Sequence, residues 1–290
     1  MKMSFDETLK QYQNAVEAYL DTCFTEQLPQ KKLFEAMRYS LLAGGKRIRP
    51  VLVLEFCRIC GGDWNKALPF AAAIEMVHTY SLLHDDLPCM DNDDYRRGKL
   101  TNHKVYGEAH AVLAGDALLT AAFDQISSAD VDAACAVKIV SILANAAGEK
   151  GMVGGQILDI DGEGKSLFTD QVHTIHKLKT GALIRAACCM GAAAAGADED
   201  KMHAAKEYAE ALGLAFQIRD DMLDVLGDAQ KLGKAVHADG NKNTFASLYG
   251  VERCKKLIDE ENEKAMDALS IFEDRDFLQA LTKMLASRDF

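Results

Sequence analysis

After Pro88 this chain carries no proline, and its other three prolines, Pro29, Pro50 and Pro69, come earlier still. Proline lacks the N–H of a helical hydrogen bond and clashes with the preceding turn, so it interrupts helices more reliably than any other residue. Everything beyond residue 88 is therefore free to run in long helices. Hydrophobic residues recur at helical spacing throughout, and nowhere alternate as in a half-buried strand. Phe5, Leu9, Tyr12, Val16 and Tyr19 make one apolar face. Lys32 to Ala43 reads as a second helix, closed by Gly44-Gly45 as a glycine C-terminal signal. Pro50 can open a third, ending near Gly61-Gly62, because proline suits the first turn. Pro69 sits in the first turn of a fourth, which Pro88 ends or kinks. Further helices are expected over 108–126, 131–147, 149–160, 170–195 and 199–226, with one or more after Thr244. No linker, repeat or low-complexity segment interrupts them. The expected fold is all-α, a single domain over residues 1–290.

The fourth helix leads into the chain's most unusual stretch, HTYSLLHDDLPCMDNDDYRRG, from His78 to Gly98. Five carboxylates, Asp85, Asp86, Asp91, Asp93 and Asp94, fall within ten positions, and they repel one another strongly unless neutralised. Apolar residues run directly into them, which places them at the inner end of a buried helix rather than in a solvated tail. A hard divalent cation, which takes oxygen ligands, is the natural remedy. Arg96 and Arg97 follow at once, and guanidinium grips phosphate in bidentate fashion. Metal beside guanidinium is what a diphosphate requires. An isolated acidic run is more often a solvated loop. A second cluster changes the balance: Asp220, Asp221 and Asp224 lie in the helical pattern of AFQIRDDMLDVLGD. Residues four apart on a helix differ by about 40° in direction, so Asp220 and Asp224 share a face, and the two clusters suggest facing metal-binding walls.

Basic groups gather in GGKRIRP, where Lys46, Arg47 and Arg49 stand between two helices after a glycine pair. Three cations in four positions fit a diphosphate, although a short basic loop is commonly only a surface. His78 precedes Asp85 by seven residues and so returns to nearly the same face. Arg96 and Arg97 could equally pair with Asp93 and Asp94.

Composition narrows the function classes. A net charge of −11 argues against a nucleic-acid footprint. No apolar stretch reaches the length of about 20 residues needed to span a bilayer, and MKMSFDETLKQY lacks the apolar core of a signal peptide. The eight cysteines include one CxxC, Cys57 and Cys60, with no second pair or nearby histidine to complete a zinc site. They read as small buried residues in a reducing cytoplasm.

Taken together, these residues resemble the trans-isoprenyl diphosphate synthases, most closely the bacterial short-chain farnesyl diphosphate synthases. The landmarks fall in order over nearly the whole chain: GGKRIRP, the His78–Gly98 stretch, NH at 102–103, AGDALLT at 114–120, GMVGGQ at 151–156, KTG at 179–181, FQIRDDMLD at 216–224 and LGK at 232–234. The resemblance implies a helical bundle around a central apolar cavity. It implies that Asp85, Asp86 and Asp91 bind Mg²⁺ on an allylic diphosphate, and that Asp220, with Asp221 and Asp224, binds a further Mg²⁺, three ions in all. Arg96, Lys179 and Lys234 would hold the allylic diphosphate; Lys46, Arg49, His78 and Arg97 would hold isopentenyl diphosphate. Lys179, Thr180 and Gln217 form the implied catalytic group, Thr180 and Gln217 stabilising an allylic cation. The family also implies a homodimer. Four residues separate Asp86 from Asp91, rather than the two of the shorter DDxxD form, and this spacing with Pro88 occurs in bacterial and plant branches.

Product length follows less directly. In the family, bulk at the fourth and fifth residues before the first aspartate, here Ser81 and Tyr80, sets the floor of the hydrocarbon tunnel. An aromatic Tyr80 resembles enzymes that stop at C15. Helical geometry puts Ser81 about 40° and Tyr80 about 140° from the direction of Asp85, so geometry favours Ser81 and only the resemblance points to Tyr80. A C20 product remains the alternative. A class I terpene cyclase would carry a different second metal motif and no GGKRIRP pocket. A non-catalytic partner subunit would typically lose an aspartate motif, and both are intact here.

Overall fold

The computed structural model describes residues 3–232 and 243–287, the side chains of 224–232 excepted. Its contacts divide the chain into two compact units, Met1–Ser141 with Ala193–Gly196, and Ile142–Ala192 with Ala197–Phe290.

The first unit is built around α4 (Leu68–Asp85), whose residues 70–77 are buried without a break. A helix apolar all round has no solvent face and must be surrounded. Four helices do so: α1 (Phe5–Asp21), α2 (Lys31–Leu41), α3 (Ile48–Ile59) and α6 (Glu108–Ser127) all pack on α4. Ser4 and Glu7 cap α1 reciprocally, Glu7 N–H donating to the Ser4 hydroxyl at 3.3 Å and Ser4 N–H to the Glu7 carboxylate at 2.8 Å, which starts the helix where the apolar spacing begins. A short α5 (Asn102–Tyr106) and most of α7 (Ala133–Ala147) complete the unit.

The second unit repeats the scheme around α11 (Glu199–Leu232), against which α12 (Phe245–Tyr249), α13 (Val251–Ala268) and α14 (Asp276–Ser287) pack. Ala215, Ile218, Met222, Phe245, Cys254 and Ile258 form its core. The remaining helices are α8 (Met152–Gly162), α9 (Thr169–His176) and α10 (Ala182–Ala194). Among the described residues no helix is long and apolar enough to cross a membrane.

The structure departs from the expected elements in two places. Where one helix was expected over 170–195, α9 and α10 are joined by a π-helical turn, Lys177–Gly181. The all-α class holds, with one local addition that was not expected: Tyr95–Arg96 and Lys99–Leu100 pair as the two antiparallel strands of a minimal hairpin. Its turn residues, Arg97 and Gly98, have φ of 53° and 74°, the left-handed values of a two-residue hairpin turn. Two residues per strand are too few to show any alternation in sequence.

The cysteines are also more varied than expected. None of the eight forms a disulfide; Cys57 is buried, Cys60 is intermediate and Cys89 is exposed.

Arg47 corrects a further expectation. It does not join Lys46 and Arg49 as a ligand-facing cation. It caps α3 with φ of 52° and turns inward, its side chain fully buried. Its guanidinium donates to Glu17 at 2.7 Å, to Glu75 at 2.5 Å and to the Leu41 carbonyl at 2.7 Å. A buried charge is tolerable only while fully paired. Glu75 is itself buried, whereas Glu17 is 40% exposed. Glu75→Ala should therefore destabilise the protein by about 3 kcal/mol, and Glu17→Ala by only about 1 kcal/mol. Chemical denaturation of both variants checks this, and equal losses would contradict it.

Candidate active site

In the first unit the aspartate-rich stretch is not one helical array. Asp85 is the last residue of α4 and Asp86 its C-cap, while Asp91, Asp93 and Asp94 stand in exposed turns beyond. The chain then folds back: Asp91 N–H donates to the Asp85 carbonyl at 2.8 Å and Asn92 N–H to the Leu87 carbonyl at 3.1 Å. Residues six apart in sequence are thereby made neighbours. The C-terminal end of a helix carries partial negative charge and repels anions. Carboxylates at the end of α4 are therefore placed where a bound cation is most needed.

Asp86 is buried, and burial pushes its carboxyl pKa up against the opposing pull of Arg96. Arg96 donates through Nε to Asp86 at 2.6 Å and lies 3.4 Å from Asp93. Asp94 pairs instead with Lys104 at 2.7 Å. Arg97 donates to the Gly44 carbonyl, and a Cβ on Gly45 would stand 3.0 Å from the Arg97 guanidinium. Gly44 and Gly45 have φ of 86° and 135°, a backbone that favours glycine. The GGKRIRP loop and the hairpin turn thus meet through Arg97. His78 is held well below the usual imidazole pKa, first by burial and then by the charges of Arg49, Arg97, Arg47 and Arg96. It is a neutral ring in an electropositive surrounding, suited to hydrogen-bonding an anion. A cleft of about 40 Å³ is lined by Thr79, Asp86, Arg96, Arg97 and Asn102.

Below this, Ser81 returns its hydroxyl to the His78 carbonyl at 3.0 Å. Tyr80 is buried against His84, ring centroids 5.7 Å apart. Its hydroxyl pKa is pushed up to about 12, mainly by burial and then by the charge of Asp85.

In the second unit the functional residues form a relay. The Thr180 hydroxyl donates to Gln217 Oε1 at 2.9 Å, and Gln217 Nε2 donates to Asp221 at 3.0 Å. The other Asp221 oxygen accepts the Phe245 N–H at 2.7 Å. His176 Nε2 lies 3.6 Å from that oxygen, and its ring stacks on Phe245 at 5.1 Å. Asp221 is buried by these contacts, whereas Asp220 beside it is partly exposed. Lys179 pairs with Asp159 at 2.6 Å. The Asp224 side chain and Lys234 lie outside the described residues. A larger cavity in this unit, about 580 Å³, is lined by neither Asp220 nor Asp221. Its charges largely answer one another, as in Arg185–Glu210 at 3.3 Å and Lys264–Glu261 at 2.6 Å, so it presents no clear demand for a charged ligand.

The polyprenyl synthetase family model matches residues 30–283. The chain belongs to the polyprenyl synthetase family. It is 46% identical over 263 residues to a farnesyl diphosphate synthase of Micrococcus luteus, covering 90% of each chain. It is 48% identical over 248 residues to a geranylgeranyl diphosphate synthase of Cyanophora paradoxa, covering 84% of this chain and 83% of the relative. A geranyltransferase structure from Legionella pneumophila superposes with a TM-score of 0.87 at 36% identity, covering 97% of this chain and 96% of the other.

Among the described residues, no three His, Cys, Asp or Glu side chains stand together as a ready-made metal cage. Mg²⁺ is usually held by one or two carboxylates together with substrate phosphates and water. The oxygen donors brought together by the Asp91–Asp85 bond fit such an ion. Sequence reasoning missed Asp159, which GMVGGQILD places one helical turn beyond the glycines. It also missed the π turn that carries the polyprenyl synthetase KTG residues, although such turns are frequent at functional sites. The signal for the turn was GMVGGQ itself. A Cβ on Gly155 would stand 2.3 Å from Lys179 N, so only glycine lets α8 approach that turn. Gly155→Ala should displace the turn, lowering catalytic rate by at least about 10-fold, the scale on which small misplacements act. Steady-state kinetics beside a circular dichroism spectrum checks this; a folded variant of wild-type rate would refute it.

Proposed function

We propose that this protein condenses isopentenyl diphosphate with dimethylallyl diphosphate and then with the resulting geranyl diphosphate to give farnesyl diphosphate, one pyrophosphate leaving at each step, with Mg²⁺ as cofactor, three ions in the full site. The observation that carries this reading is the fold-back that sets Asp91 against Asp85 at the negative end of α4, beside Arg96 and Arg97. Asp85 and Asp91 would hold Mg²⁺ on the allylic diphosphate, with Asp86 held in place by Arg96. Asp220, which is partly exposed, would be a ligand for a further ion, and Asp221 orients Gln217. Mg²⁺, when bound, supplies positive charge to the leaving diphosphate.

The protein's own groups account for the rest of the chemistry. Arg96, Lys179 and Lys234 would hold the allylic diphosphate, so that Lys179 exchanges Asp159 for phosphate oxygen. Lys46, Arg49, neutral His78 and Arg97 would hold isopentenyl diphosphate. The allylic C–O bond breaks, and the electron pair leaves with pyrophosphate. The Thr180 and Gln217 oxygens stabilise the resulting cation. The isopentenyl double bond attacks it, and the new cation loses a proton, for which the departing pyrophosphate is the base. Apolar burial below Asp85 keeps water from the cation.

Tyr80 supports the C15 stop, being bulky and, about one and a half turns before Asp85, buried on α4. A C20 product is the second reading, favoured by the identity to a geranylgeranyl diphosphate synthase. A homodimer is part of the proposal. Val105, Val112 and Leu113 are exposed on the first unit, and light scattering should give twice 31.7 kDa; a monomer would remove this part.

Product analysis tests the whole. Incubation with both substrates should yield C15 alcohol after dephosphorylation, only with Mg²⁺, and Asp85→Ala should lose nearly all turnover while keeping its helicity. Tyr80→Ala should lengthen the product. C20 from the wild type would displace the tunnel assignment, and no elongation by folded protein would return the partner-subunit reading.

A further inference from the structure

The aspartate-rich turn is tied at both ends, and only one tie belongs to the residues already assigned. At the near end stands the Asp91–Asp85 backbone bond. At the far end Thr101 makes two bonds to the turn: its hydroxyl donates to the Asp93 carbonyl at 2.8 Å and its N–H to the Asp94 carbonyl at 3.0 Å. A hydroxyl has one proton. Since that proton goes to Asp93, His103 Nδ1, 3.2 Å away, must carry its own proton and donate to Thr101. Asn102 spends both amide protons on α2, at 2.8 Å to the Ala36 carbonyl and 2.8 Å to the Ser40 hydroxyl. Thr101 and Asn102 are each 2% exposed.

We propose that Thr101 and Asn102 are positioning residues for metal binding, a latch that anchors the aspartate-rich turn to α2. The inference rests on the prenyl-transfer reading for what the turn binds. The physical need is plain. Five carboxylates on one short segment repel one another, and without metal that repulsion drives the turn open. The latch opposes it through backbone carbonyls, leaving the carboxylates themselves available. Both residues border the cleft beside Asp86 and Arg96 but spend their hydrogen bonds on the turn and on α2, so their loss raises the metal requirement rather than abolishing the chemistry.

Thr101→Val removes the hydroxyl. Outer-sphere partners of metal ligands typically matter by roughly 10- to 100-fold in affinity, so the Mg²⁺ concentration for half-maximal rate should rise about 10-fold. The rate at saturating Mg²⁺ should recover to near wild type, and Thr101→Ser should restore the wild-type requirement. Calorimetry of Mg²⁺-dependent inorganic pyrophosphate binding reads the same shift without turnover. Ser40→Ala, a milder change at the α2 anchor, should shift it in the same direction by less, and serves if Thr101→Val does not fold.

Tyr208→Phe controls for general loosening. It deletes a buried hydroxyl bonded to Thr282 at 3.0 Å in the other unit, and should lower stability without moving the Mg²⁺ requirement. A folded Thr101→Val with the wild-type requirement overturns the latch. So does a Tyr208→Phe shift as large as that of Thr101→Val, or an unfolded Thr101→Val together with an unshifted Ser40→Ala. A wild type that binds pyrophosphate with Mg²⁺ but transfers no prenyl group would overturn the enzymatic reading and leave the latch to be judged by calorimetry.

Discussion

Negative charge at the negative end of a buried helix is the constraint on which the first unit depends. Helix α4 is buried along residues 70–77, where Glu75 is the one charged side chain and is paired with Arg47, and its burial fixes where its C-terminus emerges. Asp85 and Asp86 stand at that end, where the helix dipole repels further negative charge and where burial raises the Asp86 carboxyl pKa. The surrounding structure answers with cations. Arg96 reaches Asp86, Lys104 reaches Asp94, and the hairpin brings Arg97 back to the glycine turn. Under the proposed function, phosphate and metal would take over partners that protein groups hold without them.

The second unit solves a different problem, that of orientation. An amide side chain such as Gln217 can point either end at a substrate. Here Thr180 and Asp221 make opposite demands on its two ends, and only one orientation satisfies both. Asp221 is in turn fixed by the Phe245 N–H. The relay costs the protein a buried carboxylate, made tolerable by full hydrogen bonding.

Much of this was legible in the sequence because it depends on local spacing. The start of α4 near Pro69, its end before Pro88, and the helical course of 199–226 follow from periodicity and proline chemistry. What was not legible depends on long-range partners. Nothing in KRIR distinguishes Arg47 from Arg49. The difference comes from Glu17 and Glu75, which are distant in sequence and buried only in the fold. The π turn at Lys177–Gly181 was hidden because the helix that packs on it, through Gly155, is distant in sequence. Likewise, DDMLD offers two adjacent carboxylates as equals, and only packing against Phe245 takes Asp221 inward. The NH pair at 102–103 was visible as a landmark without a reason, and the reason is a hydrogen bond to α2.

Arg47 and Arg97 share one further property. Both have left-handed backbones, at φ of 52° and 53°, in a region that disfavours any residue with a Cβ. Glycine would relax both turns. Neither position can accept it without giving up a guanidinium, which at 47 neutralises two carboxylates and at 97 closes the glycine loop. The basic half of this site is therefore held in a locally uncomfortable chain, where the most comfortable residue and the useful one are different.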